Sequence, residues 1–246
     1  KLSLALDREL APWLTVSGGF LFTHSVNQVL LQELNIQEVT EDLGPLFGYG
    51  VDRTHYGDTV NLGFRPRRPL AGYEQVLLVT NDGGDRSWSL SAEVRGRMSE
   101  RLSFQAGYAY QRSYDRMSLA SVDLIENFGT TPTRSDPNRP KLNPSNFDRP
   151  HKVVLALWGT PIPGLDRTEV SLLYTGESGL PFSYVYRGDL NGDGFPGPGP
   201  AFDRNNDLVY VPTDALGVPA TLGTVQRLAA ALETDPCLRA FRGRLM

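Results

Sequence analysis

Apolar and polar residues alternate along much of this chain, and the alternation has period two. Leu14, Val16, Gly18, Phe20 and Phe22 interleave with Thr15, Ser17, Gly19, Leu21 and Thr23. Such a run predicts a strand with one greasy face and one wet face. Leu2, Leu4 and Leu6 start a similar strand, and the stretch "DRELAP" after them predicts a turn. The clearest case is "RSWSLSAEVRGRMSERLSFQAGYAYQRSYD". Trp88, Leu90, Ala92, Val94, Gly96 and Met98 share one face, while Ser87, Ser89, Ser91, Glu93, Arg95 and Arg97 share the other. After a tight "SER" turn, Leu102, Phe104, Ala106, Tyr108 and Tyr110 continue the apolar face. This predicts a long hairpin. "HKVVLALWG" is apolar on both faces, so its orientation stays open. "RTEVSLLYTG" places Val170, Leu172 and Tyr174 on one side.

That makes about six crossings, counted from the pattern itself. Their connections alternate in length. "DRELAP", "SER" and "TPIPGLD" are short, whereas residues 24–73, 113–150 and 188 onward form long connections. A soluble sandwich usually carries short turns at both ends. An outer-membrane barrel carries short turns at one end and long loops at the other. Strands of about 10 residues suffice to cross a bilayer when tilted. Trp13, Trp88, Tyr110, Tyr114, Trp158, Tyr174 and Tyr184 fall near expected strand boundaries, where amphipathic rings suit the headgroup level. A Leu- and Ala-rich stretch at 222–233 predicts one short helix inside the last loop. The expected fold is all-β: an antiparallel meander forming part of a transmembrane barrel.

Composition narrows the function classes. The net charge is −4, so no basic footprint for nucleic acid stands out. The longest unbroken apolar run is 153–158, far short of the roughly 18 residues a membrane helix needs. With one cysteine, Cys237, an internal disulfide is impossible. Cys237 is expected to pair with a cysteine beyond Met246, because a lone cysteine in an oxidising compartment invites a partner. Both ends of the chain are expected to continue into further sequence, since Lys1 opens directly in a strand pattern.

Catalytic chemistry finds no foothold. His24, His55 and His151 are scattered, no H-E-x-x-H or G-x-S-x-G occurs, and "GESG" lacks the spacing of a nucleophile elbow. The chain is expected not to be an enzyme. Glu93, Arg95 and Arg97 fit either a wet barrel interior or the outer face of a sandwich. One metal motif is present. Asp189, Asn191 and Asp193 occupy positions one, three and five of a calcium loop, with Gly194 at the sharp turn. Position twelve is Pro200 where a bidentate Glu is needed, and prolines at 196, 198 and 200 exclude an EF-hand. The plainer alternative is that Asp and Asn cap their own backbone in a hairpin loop. Calcium is thus a possible cofactor, with Asp203 or Asp207 completing the set. In this scheme "PFSYVYRG" rises to the loop and "NDLVYVP" returns as its partner strand.

Several segments together resemble a known family. They are "SNFDRPHKVVLALWGTPIP", "YTGESGLPFSYVYRGDLNGDG" followed by "NNDLVYVP", "VTNDGGDRSWSLSAEVRGRMSERLSFQAGYAYQRSYD", and "LALDRELAPWLTVSGGFLFT". Taken in their order along the chain, they resemble the TonB-dependent outer-membrane receptors, specifically the Oar-like branch. The resemblance extends over residues 1–246. It implies a piece of a barrel of about 22 strands, with the plug domain and remaining strands lying outside this sequence. It also implies an outer-membrane location, outer-membrane lipid around the wall, an extracellular ligand, and a TonB complex acting through the plug. Expected function is energised uptake of a solute that the sequence does not name. The second reading, from the residues alone, is a secreted β-rich calcium-binding adhesion or binding module. The third is a hydrolase on a β-scaffold.

Overall fold

A computed structural model describes residues 1–38, 56–60, 63–133, 136–160, 162, 164, 167–185, 189, 191–195, 206–211, 230–231, 233–242 and 244–245. The chain divides into two compact units. The first comprises residues 1–28, 82–116 and 142–181.

The first unit is one antiparallel sheet. Its long strands are β1 (Leu2–Ala11), β2 (Leu14–Ser25), β7 (Asp85–Ser99), β8 (Leu102–Asp115), β10 (His151–Gly159) and β11 (Val170–Glu177). They pair in the order β1-β2-β7-β8-β10-β11, with the short β9 (Asn143–Pro144) against the end of β8. Each long strand is hydrogen-bonded to the next one in the chain, so the sheet is a meander. The expected turn at "DRELAP" is corrected: β1 runs on to Ala11 and the reversal occupies Pro12 and Trp13. Asp7 and Glu9 do not break the strand because they continue its wet face.

Register settles which residues share a face. The chain of partners Leu4, Phe20, Leu90, Tyr110 and His151 runs straight across five strands. So does Arg8, Val16, Val94, Ala106, Leu155 and Tyr174, across all six. Because the period is two, residues at even spacing from these belong to the same face. Pairing also fixes β10: Val153, Leu155 and Leu157 join the apolar face, and Val154, Ala156 and Trp158 take the other.

The second unit comprises residues 29–81, 117–141 and 182–246, drawn from the three long connections. Three small two-stranded sheets occur in it: β3 (Gln28–Glu33) with β6 (Leu77–Asp82), β4 (Gly57–Val60) with β5 (Gly63–Pro66), and β12 (Tyr210–Val211) with β13 (Arg244–Leu245). Leu30, Leu31, Met117, Phe128 and Phe195 form a buried cluster, the main apolar core among the described residues. Phe128 lies on α1 (Leu124–Thr130), whose N-cap Asp123 accepts from the Ile125 and Glu126 amides. Gly129 lets Phe195 approach: a Cβ there would stand 2.3 Å from the Phe195 ring.

The helix expected at 222–233 falls mostly outside the described residues; Ala230, Ala231, Glu233 and Thr234 are helical. A separate helix, α2 (Pro236–Ala240), follows with Asp235 as its N-cap, and Cys237 is exposed on it. No helix among the described residues is long and apolar enough to cross a membrane. Of the strand expected at "PFSYVYRG", residues 181–184 form no strand, Val185 makes one bridge to Leu208, and residues 186–188 lie outside the described residues. Tyr210 and Val211 pair with Leu245 and Arg244, not with that segment.

Candidate functional site: a two-faced wall and a buried acidic loop

The apolar face of the sheet lies open. Leu4 is 63% exposed, Leu6 71%, Leu90 56% and Leu172 66%, and Tyr108, Leu155 and Tyr174 are also exposed. These residues lie on one face of the six-strand register. A soluble protein rarely leaves a contiguous patch of this kind uncovered. A sandwich would have buried these side chains against a second sheet. Here they are presented outward, the arrangement a strand needs when hydrocarbon replaces water as its solvent.

The opposite face is wet. It carries Ser89, Ser91, Glu93 and Arg95 on β7, opposite Gln111, Ala109, Gly107 and Gln105 on β8. Glu93 and Arg95 pair at 2.8 Å in an exposed setting. A shallow hollow of about 400 Å3 opens on this side, lined by Asp7, Ser17, Ser91, Glu93, Gln105 and Lys152. The sheet therefore curves around its polar face and leaves the apolar face convex. Gly19 and Gly107 also line the hollow.

At the long-connection end, the segment Phe147, Asp148, Arg149, Pro150, His151 joins three strands. Asp148 is buried; it accepts from Arg112 Nε at 3.0 Å and from the Ser113 amide at 2.8 Å. Arg149 pairs with Glu177. The His151 Nδ1 and the Tyr108 hydroxyl are 2.7 Å apart, and the His151 amide donates to Ser178 Oγ. These bonds hold β8, β10 and β11 together where the sheet ends. Sequence reasoning singled out His151 and held Asp148 only as part of the quoted segment "SNFDRPH", without its partners, which lie 35 and 36 residues away. His24 stands opposite Arg86 in the pairing of β2 with β7, one pair before Ser25 and Asp85 end it, and His55 lies outside the described residues. Trp88 and Tyr110 stack edge to face, and Arg86 and Arg112 approach the Tyr114 ring. This band of rings and guanidinium groups gathers near the same end.

The family comparison agrees with this geometry. A model of an outer-membrane β-barrel domain matches residues 1–233. The chain belongs to the outer-membrane β-barrel domain family. No curated protein and no solved structure matches it. Its place is the outer membrane, and the convex apolar face is the surface that a barrel of this family offers to lipid. Membership fits the expectation that the chain is not an enzyme. Within the described residues the barrel is not closed: β1 pairs only with β2, and β11 only with β10.

The second unit contains the acidic loop. Asp189 Oδ1 accepts from the Gly192 and Asp193 amides at 2.6 and 3.2 Å, and Oδ2 accepts from Gly194 at 2.8 Å. Asn191 Oδ1 accepts from the Asp193 amide at 3.0 Å. Gly192 and Gly194 have φ of 75° and 94°, left-handed values that allow this tight winding. Asp193 is wholly buried; Oδ1 takes the Phe195 amide at 2.9 Å, and Oδ2 takes Asn206 Nδ2 at 2.6 Å and Asn191 Nδ2 at 3.1 Å. The predicted loop residues are thus brought together, and they cap their own backbone as the plainer alternative required.

Asn206 and Asp207 come to the same place, both fully buried. Asp203, the other suggested ligand, lies outside the described residues. Burial, then the nearby Asp207 charge, pushes the Asp189 carboxyl up to about 7. Burial, then the charges of Asp189 and Asp207, raises Asp193 well above the usual carboxylate range. Among the described residues no three His, Cys, Asp or Glu side chains converge as a ready metal site. Carboxamide and backbone oxygens therefore have to contribute to any cation site here. Asn206 Oδ1 is buried without a partner, as is Thr133 Oγ1.

Proposed function

We propose that residues 1–246 form part of the wall of a TonB-energised outer-membrane receptor of the Oar-like branch, which takes up a solute from outside the cell. The observation that carries the proposal is the six-strand meander with an exposed apolar face and an alternation of tight and long connections. Open edges support a larger barrel. An unpaired backbone group in hydrocarbon costs several kcal/mol, so β1 and β11 both need neighbours. Bacterial barrels begin at about 8 strands, and six long strands fall short of that. The Oar-like assignment rests on "SNFDRPHKVVLALWG" and the later segments in family order.

In this scheme the tight turns face the periplasm and the long connections face outward, where they meet the ligand. The TonB complex engages the plug domain of the whole receptor, and the wall supplies a curved, water-lined interior for the solute to pass. The experiment is retention of the full-length protein by the periplasmic domain of TonB. Specific retention that is lost when the segment preceding the barrel is deleted is expected. Equal recovery with and without the TonB domain, from properly inserted protein, contradicts the proposal.

A further inference from the structure

We propose that the long-connection end of the convex face binds the phosphate groups of an outer-leaflet glycolipid, with Arg86 and His24 as donors and Arg112 beside them. Register brings these side chains together. His24 stands opposite Arg86, and Arg86 opposite Tyr114. One row nearer the tight turns, Phe22 stands opposite Trp88, and Trp88 opposite Arg112. The next row holds Phe20, Leu90, Tyr110 and His151. All three rows lie at even spacing from Leu90, so they belong to the face that meets lipid. Successive rows are about 7 Å apart. Cationic groups therefore begin one to two rows beyond the last leucine of β7.

A cation at the edge of hydrocarbon needs an anion. The acidic residues of these strand ends, Asp85 and Asp115, are each one residue from Arg86 or Tyr114 and so belong to the opposite face. Arg112 gives its Nε to Asp148 at 3.0 Å. Arg116, the next basic residue along the chain, pairs with Asp82 at 3.2 Å. Arg86 is exposed, and among the described residues no carboxylate pairs with it. Its guanidinium carbon stands instead 5.8 Å from the centroid of the Tyr114 ring, and that of Arg112 stands 5.3 Å from the same ring. One ring thus gathers two guanidinium groups, with the exposed His24 opposite the first.

The neighbouring rings set the depth. Trp88 and Tyr110 lie 5.3 Å apart between centroids, and Tyr110 and His151 5.1 Å. Trp and Tyr collect at the headgroup level of a membrane, so Arg86 and His24, one row beyond Trp88, reach the level of lipid phosphate. Guanidinium groups bind phosphate through paired N–H bonds, and basic clusters at a membrane boundary select anionic lipid. Two of them around one ring suit a headgroup with more than one phosphate. In the outer leaflet the phosphorylated glucosamine disaccharide of the glycolipid has that chemistry. The choice of leaflet rests on the outward placement of the long connections proposed above; the identity of the solute plays no part.

The test adds purified diphosphoryl lipid A to full-length protein in nonionic detergent and counts the retained molecules by native mass spectrometry. The native protein is expected to retain at least one, and to hold the dephosphorylated form and phosphatidylglycerol about tenfold or more weakly. Arg86→Gln combined with His24→Gln should weaken retention of the diphosphoryl form by a similar factor. Thermal unfolding in lipid-free detergent should stay unchanged, because both side chains are exposed. Arg86→Lys, which keeps the charge and loses the fork, should retain an intermediate amount. No retention by the native protein overturns the proposal. So does equal retention of the phosphorylated and dephosphorylated lipids, a preference for phosphatidylglycerol, displacement by equimolar inorganic phosphate, or equal retention by the native protein and the double variant. Retention by the TonB domain should be the same in the double variant, so a failure of the lipid site and a failure of the transport reading are seen separately.

Discussion

At the residue scale, single side chains decide how the ends of the strands are held. Asp148 is the buried acceptor for Arg112 and Ser113. Replacing it by Ala leaves the guanidinium and the amide without their partner and is expected to cost about 2–3 kcal/mol. Urea unfolding of the inserted protein checks this, and a change near zero contradicts it. Gly159 ends β10 at φ of 154°, where a Cβ would stand 1.9 Å from the Arg101 carbonyl oxygen. Since that neighbour is backbone, Gly159→Val is expected to cost about 2–3 kcal/mol, visible as reduced folded yield in the outer membrane. Tyr56 supplies a pH dependence. Its hydroxyl donates to Asp136 at 2.8 Å, and burial followed by that bond raises its pKa. A raised acid favours its protonated form in the folded state. Its contribution is complete below the unfolded value of about 10 and is lost as pH rises through the folded value. One tyrosine should therefore resist ionisation until the second unit unfolds in alkali, and Tyr56→Phe should abolish that resistant class in an absorbance titration. None of these three positions was legible in the sequence. Their partners are distant in the chain, and local pattern says nothing about distant partners. Asp189, Asn191 and Asp193 were legible because their spacing is itself local.

At the scale of elements, the strands followed the alternation wherever one face was polar. β2, β7 and β8 could be placed from sequence because serines and glutamines alternate there with leucines and aromatics. β10 could not be oriented, since Val153 and Val154 are equally apolar; its partners Tyr108 and Gly107 supply the answer. The seven residues of α1 are too few for a helical period to show, although its cap at Asp123 is a recognisable sign. The small sheets of the second unit were missed for the same reason, as most have strands of two to four residues. The two faces of β10 carry the prediction at this scale. Leu155→Arg places a charge on the lipid face and is expected to destabilise the inserted protein by about 2–4 kcal/mol if near the midplane. Ala156→Arg, one residue on, points to the wet side and should cost much less. Equal costs at the two positions would mean that the faces have been assigned wrongly.

At the scale of the molecule, the division of labour follows from solvent. One unit meets hydrocarbon with a continuous apolar face, and the other, drawn from the long connections, folds around its own small core and buried acidic loop. The alternation of short and long connections made the first unit legible from sequence. The internal structure of the second was hidden, because its core joins residues as far apart as Leu30 and Phe195. The central claim is that the convex apolar face touches lipid. Its most direct test is quenching of a fluorophore placed on single cysteines in a Cys237→Ser background, with the full-length protein in bilayers that contain a lipid-soluble quencher. Labels at Leu90, Leu155 and Leu172 should be strongly quenched, and labels at Ser91, Gln105 and Lys152 should respond to a water-soluble quencher instead. Equal behaviour of the two sets, or protection of the first set from the lipid quencher, would contradict the account.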